Sequence, residues 1–375
     1  MEKGGEWGKP RPLGSTRFDE PSVIPDWPSL PPELVQGIAN CVLSTTGGVD
    51  AYMDMRAVCP SWRSAIAKPS PLDAVADLRF RPRHWVMVDL KSDSDDDDAR
   101  LFLHGPTGRF RQLRLPVLRH HILVDASDGL LVLADREPPH SARVLNPFTG
   151  DIIHFAAQLP ASFMDTNTTW HTAVSGGSHF RLFLWRRGTL FSAAQSSDVF
   201  TEKDFKEDIG IYLMSMLSFQ GNIYCVNEGG CVFKFVTPAE HLAIAKWSPD
   251  AEGDDSELHY LVESSGELLL IRYVDQTMKV FRVNVEHKLL EEVESLGRRA
   301  LFLGEERCVS LDADKLPSVD GDCIYMVDFL DEGDMCEYNL RGGMVNIICG
   351  QESIEDRPFS LVQQLLFRYC DFRFH

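Results

Sequence analysis

The chain has 375 residues, 44% hydrophobic and 25% charged, which excludes a collagen-like, coiled-coil or wholly disordered protein. Its length allows two or three domains, or one large all-β domain with an appendage. With 37 Lys and Arg against 56 Asp and Glu the net charge is −19, a surface that repels phosphate backbones and anionic lipid and so argues against nucleic acid and membranes as partners.

No run approaches the roughly 18 apolar residues of a membrane span. Residues 1–25 mix Gly, Pro and charge, lack the apolar centre of a secretory signal, and read as a flexible leader. The 9 cysteines include no Cys-x-x-Cys pair, and they read as reduced thiols of a cytoplasmic or nuclear protein.

Residues 26–68 carry a helical pattern. Ser29 is a cap candidate, and Pro31 and Pro32 fall in a first turn, where a missing N–H is no loss. Glu33 complements the positive end of the helix dipole, and Leu34, Ile38, Cys41 and Val42 share one face. Gly47-Gly48 ends this helix; Asp50 to Val58 forms a second, and Pro60 opens a third containing Trp62 and Ile66. Three helices of this size bury little apolar area and lean on a partner. Trp27, Leu30 and Pro31 exceed what such a core can cover, which points to an apolar docking ledge. The competing reading packs them on the rest of the chain.

Pro69 and Pro71 open a linker over residues 69–79. From residue 80 to about 350 the pattern becomes short β-branched and aromatic runs cut by Gly, Asp and Asn turns, a strand signature. The unit of turn glycine, apolar strand, polar gap and second strand recurs at Gly129, Gly177, Gly221, Gly266 and Gly321, at intervals of 44 to 55 residues. That period suits one propeller blade, and the span holds about six. An irregular β-sandwich or barrel is the alternative architecture. Residues 351–375 form a C-terminal tail, in which Leu361 to Phe367 suits a short amphipathic helix.

Catalytic motifs are missing: there is no phosphate-binding glycine loop, nucleophile elbow or His-Glu-x-x-His. The pair His120-His121 would point to opposite faces of a strand and cannot jointly hold one metal there. Asp93 to Asp98 resembles a calcium loop only in charge, since its sixth and twelfth positions are Asp98 and His104 rather than Gly and Glu. It reads as a solvated loop whose Ser92 and Ser94, each with Asp three residues on, are candidate phosphorylation sites for an acidophilic kinase. Cys225 and Cys231 flank Gly229-Gly230 and read as two thiols, and the tryptophans of the β region read as core. No catalytic residue, cofactor or metal is expected, although a carboxylate pair drawn from two blades, as in a propeller hydrolase, leaves no trace in one sequence.

Two stretches resemble known families. Leu30-Pro31-Pro32-Glu33-Leu34, then Arg56-Ala-Val58-Cys59-Pro-Ser-Trp62-Arg63, is similar to an F-box. Asp128-Gly-Leu-Leu-Val-Leu, Leu145-Asn-Pro-Phe-Thr-Gly150, Lys279-Val-Phe-Arg-Val, Ser295 to Gly304 and Gly321-Asp-Cys-Ile-Tyr-Met resemble the plant "domain of unknown function 295", whose members are F-box proteins with a kelch-like β-propeller. The resemblance implies a mostly β chain, a three-helix F-box followed by a propeller of about six blades. It further implies a substrate-recruiting subunit of an SCF-type (Skp, cullin, F-box) ubiquitin ligase. Leu30, Pro31, Leu34, Val35 and Ile38 would line the contact with a Skp-type adaptor, with Val58 and Trp62 supporting or joining it. Cullin and RING subunits would follow through the adaptor, and the propeller would hold a protein client of unknown identity, a kinase among the implied kinds. The alternative is a propeller scaffold or kinase restrainer with no ligase role.

Overall fold

The computed structural model describes residues 26–44, 48–88, 98–160, 163, 170–246, 257–304, 307–328, 334–349 and 360–366. The leader, the Asp93 to Asp97 run, Ser92 and Ser94 lie outside them.

Helix α1 (Pro32–Leu43) begins at its proline, with Pro31 at the N-cap position and no side-chain acceptor there. The expected cap, Ser29, instead closes a 3-10 turn (Trp27–Ser29), its hydroxyl donating to the Asp26 carbonyl at 2.9 Å. Gly48 does not end α1 but opens α2 (Gly48–Val58), where its φ of +60° suits a residue without Cβ. Helix α3 (Pro60–Ala65) is capped by the Cys59 sulfur, which accepts from the Trp62 amide at 3.4 Å. Val35, Ala39 and Leu43 of α1 recur at i, i+4 and i+8 and meet Val49, Tyr52, Trp62 and Ile66 in a small core. The connection expected over 69–79 carries a helix of its own, α4 (Pro71–Ala76), capped by Ser70, with Ala74, Val75 and Ala76 buried against the β region.

The described strands form six sheets, and the fold is a six-bladed β-propeller. The first sheet is β1 (Trp85–Met87), β2 (Ala99–His104) and β3 (Arg109–Arg114). The second is β4 (His121–Ser127), β5 (Leu130–Asp135), β6 (Ser141–Leu145) and β7 (Ile152–Gln158). The third is β8 (His171–Val174), β9 (Arg181–Arg186), β10 (Thr189–Ala194) and β11 (Thr201–Asp204). The fourth is β12 (Leu213–Phe219), β13 (Asn222–Asn227), β14 (Cys231–Thr237) and β15 (Glu240–Lys246). The fifth is β16 (Leu258–Ser264), β17 (Glu267–Val274), β18 (Thr277–Asn284) and β19 (Leu289–Glu292). The sixth holds β20 (Arg299–Leu303), β21 (Cys308–Asp312), β22 (Cys323–Asp328), β23 (Asp334–Asn339) and β24 (Met344–Cys349) in the order β21-β20-β22-β23-β24.

The period-2 alternation of a strand explains why the inner strands are apolar on both faces. On β5, Leu131 and Leu133 face the first blade with Trp85 and Phe102, while Leu130, Val132 and Ala134 face the third with Val174, Leu182 and Leu184. Each neighbouring pair of blades has such a seam. The last one, between sixth and first blades, joins Phe302 and Tyr325 to Val86 and Leu103 and is completed by α5 (Leu361–Gln363) and the turn after it, through Val362, Leu365 and Leu366.

Of the repeat glycines, Gly129, Gly221 and Gly266 sit at φ between +77° and +80°, each after a non-glycine residue that also has positive φ: the two-residue hairpin that matches strand twist. At Gly129 a Cβ would stand 2.1 Å from the Pro82 carbonyl oxygen, so only glycine fits. Gly321 does not start a hairpin. Its strand, β22, runs parallel beside β20, and because the hairpin β20-β21 stands where one strand would, the sheet has five strands and the interval before Gly321 is longer.

Candidate functional site

Two features stand out: an apolar face on α1 and the channel along the propeller axis. The outward face of α1 presents Leu34 at 56% exposure and Ile38 at 41%, with Cys41 and Val42 beside them in a shallow groove edged by Glu33 and Gly37. The expected face is therefore assembled and turned to solvent. Pro31, Trp27 and Val58 are exposed near these helices, Val58 at 59%, and Leu30 is half-buried against the helical core. Val35 corrects the expectation that it lines the contact, because the next position on a helix turns about 100° away and buries it in that core. Trp62 is buried as well, and its indole N–H donates to the Trp27 carbonyl at 3.0 Å, so it supports the ledge from beneath.

The helices are locked to the propeller. Asp50 is 1% exposed; it accepts from Arg109 Nη2 at 2.8 Å and from Trp85 Nε1 at 3.4 Å, both on the first blade. Arg111 clasps Asp54 with two bonds of 2.7 and 3.0 Å. Lys68 pairs with Asp151 at 2.8 Å, and the buried Asn146 amide donates to the carbonyls of Ala74 and Phe80 at 2.7 and 2.9 Å. Arg81, its side chain wholly buried, pairs with Asp128 at 2.9 Å and donates to the carbonyls of Val75, Val174 and Ser175, tying α4 to the second and third blades. These polar groups satisfy one another in pairs, which fixes the orientation of the ledge.

The axial channel has a volume of about 690 Å³ and is lined by β4, β8, β12, β16 and β21 and by residues around β1. Within it Asp125 pairs with Arg307 at 2.8 Å and accepts from Thr172. Burial pushes the Asp125 carboxyl up, against the pull of the Arg307 charge. Asp312 pairs with Arg298 at 3.3 Å. Glu263 differs: burial first, and the Asp128 carboxylate second, push it up to about 7 against the opposing pull of Arg83. A hydrolase of the two-carboxylate kind needs a matched pair of acids. Here Asp125, Asp128 and Asp312 are each held by an arginine.

No group of three or more His, Cys, Asp or Glu positioned for a metal occurs among the described residues. His121 is bound to the Val117 carbonyl at 2.8 Å and lies 3.2 Å from Asp135. Cys41, Cys59, Cys225, Cys231, Cys308, Cys323 and Cys336 are free thiols; Cys225 stands opposite Phe233 in its ladder, and burial pushes it and Cys231 up. The channel had no signal in the sequence, since its lining is gathered from short stretches of all six blades.

Residues 101–339 match the model of the KIB1-4 beta-propeller. A chain from Arabidopsis thaliana described as an F-box/kelch-repeat protein is 22% identical over 300 residues, covering 76% of this chain and 78% of its own. Among solved structures, BamB from Moraxella catarrhalis overlays at a TM-score of 0.33 with 12% identity, over 71% of this chain and 80% of that one. An oligogalacturonate lyase from Vibrio parahaemolyticus overlays at 0.33 with 10% identity, over 72% and 80%.

Proposed function

The chain belongs to the KIB1-4 β-propeller family, and from that premise we propose that it is an F-box protein, the substrate-recruiting subunit of an SCF-type ubiquitin ligase. The observation that carries this reading is the solvent-facing apolar groove of α1, Leu34, Ile38, Cys41 and Val42, on helices that are themselves locked to the propeller. Isolated apolar residues on a surface need no explanation, but four on one helix face, beside an exposed Trp27, form a surface that a partner helix fills.

In this reading the chain breaks no bonds. The Skp-type adaptor sits on α1, cullin and RING subunits follow through it, and the propeller presents a protein client. The ligase gains rate because a tethered client meets activated ubiquitin at high effective concentration. The rigid polar lock between helices and propeller suits that role, since a fixed arm keeps the span between client and ubiquitin constant. Proline at positions 31 and 32 presets backbone dihedrals and lowers the ordering cost of docking.

The test is co-expression of the full chain with a Skp-type adaptor, a cullin and a RING subunit, followed by size-exclusion chromatography. A single four-component peak with ubiquitin transfer to captured protein is the expected result. A folded chain that elutes alone would overturn the proposal and leave a propeller scaffold.

A further inference from the structure

The outer strand of each blade is a sheet edge, with a row of N–H and C=O groups that no neighbouring strand takes up. Natural proteins blunt such edges with charge or cover them. Four of the six outer strands here carry charge. β3 has Arg109, Arg111 and Arg114, and β11 has Glu202, Lys203 and Asp204; β15 has Glu240 and Lys246, and β19 has Glu291 and Glu292. β7 is uncharged but covered. Its Ile153 and Phe155 share a core with Val75 and Ala76 of α4, and its Ala156 amide donates to the Gln195 carbonyl at 3.4 Å.

β24 is the exception. Its sequence, Met-Val-Asn-Ile-Ile-Cys, holds no charge and no proline. It ends its sheet, and among the described residues it pairs with β23 alone. Ile347 is 66% exposed and Ile348 43%, with Asn346 exposed before them. The two isoleucines emerge together because the ladder slips by one residue: Ile347 stands opposite Cys336 and Cys349 opposite Met335, so Ile348 is extra. From Met344 to Ile347 the register is regular, which leaves an apolar edge ready to take a further strand.

Charge selects the occupant. The chain carries −19, so two copies repel one another over most of their surface. Like charges set opposite each other across a strand pair are destabilising, which argues against self-pairing through β3 or β19. β24 brings no charge to its own image. A basic or acidic strand of another protein would find no counter-charge on it, whereas an identical strand finds apolar and amide side chains like its own. Antiparallel pairing about a two-fold axis is also closed, so it stops at two chains.

We propose that the outer edge of β24 is a homodimer contact, through which two copies join their sixth blades into one continuous sheet. A strand of six residues is about 20 Å long. Its pairing buries less than the roughly 800 Å² per partner of a standard interface, so the dimer is weak and forms at micromolar concentration. The helices are locked to the first and second blades, so the contact stands whether or not an adaptor binds α1.

Sedimentation equilibrium of the full chain from about 1 to about 200 μM tests it. The average mass is expected to rise from one chain toward two and no further. Over the same series hydrogen exchange should slow in β24 and stay unchanged in β3, the arginine-bearing edge. Ile347→Lys, which puts a charge on the edge, should weaken the dimer at least tenfold without changing the melting temperature, because Ile347 is exposed. Leu289→Lys, at an exposed position of β19, should leave the dimer as it was. A mass of one chain at every concentration would overturn the proposal. So would a dimer in which β24 exchanges as fast as in the monomer, a readout that needs no variant.

Discussion

Replacing Asp50 with Ala should free the helices from the propeller without unfolding the propeller. Asp50 is almost fully buried and accepts from Arg109 at 2.8 Å and from the Trp85 indole at 3.4 Å. Arg109 has a side chain 53% exposed, so it returns to water at little cost. Trp85 is 5% exposed and its N–H stays buried without an acceptor. One lost charge-assisted hydrogen bond and one orphaned donor together amount to about 2–3 kcal/mol. The loss falls on α2, where Asp50 sits, and on α1 and α3 packed against it. Native-state hydrogen exchange should therefore accelerate about 30- to 150-fold in the slow amides of α1 and α2, and hardly at all in β13 or β17. Asp50→Asn, which keeps an acceptor for the indole, should show a smaller effect. Equal acceleration in helices and blades, or none in either, would refute the idea that this carboxylate is a local lock.

Leu365→Asp places a charge in the seam between the sixth and first blades, where Leu365 is 0% exposed. It should lower stability by about 3–5 kcal/mol, read as a drop in the denaturant midpoint, and an unchanged midpoint would contradict ring closure through α5. His171 is buried, and burial lowers it to about 4 while its Nε2 bonds to the Leu213 carbonyl. The unfolded state takes up its proton near pH 6.5 and the folded state only near 4, so stability falls as pH drops through that window, by about 2 kcal/mol at pH 5. His171→Gln should shrink the loss between pH 7.5 and pH 5 by that amount in urea titrations. An identical loss in the variant would rule His171 out as the source.

Hydrophobic period and turn glycines made the propeller legible, because Gly129, Gly221 and Gly266 occupy backbone positions that other residues strain to reach. The sixth blade was less readable. Its β20 is parallel to β22, a pairing set by ring closure rather than by local pattern. The helix α4 was hidden by Pro69 and Pro71, which read as a linker although a proline at a first-turn position is compatible with a helix. The apolar face of α1 was visible in its spacing. Which of Leu34 and Val35 faced solvent was not, since both are aliphatic and only tertiary packing separates them. The channel was invisible: Asp125, Glu263 and Arg307 are 44 or more residues apart in sequence and meet only when six blades close.

The central claim is that the outward face of α1 is a docking surface and not part of this chain's own core. Calorimetric titration of the full chain with a Skp-type adaptor tests it, with Leu34→Asp/Ile38→Asp as the comparison. The parent chain should bind saturably at one to one, and the double variant should lose at least a hundredfold, about 3 kcal/mol as expected for a central apolar anchor, with an unchanged melting temperature. Equal binding by both chains, or a double variant that no longer folds, would contradict it.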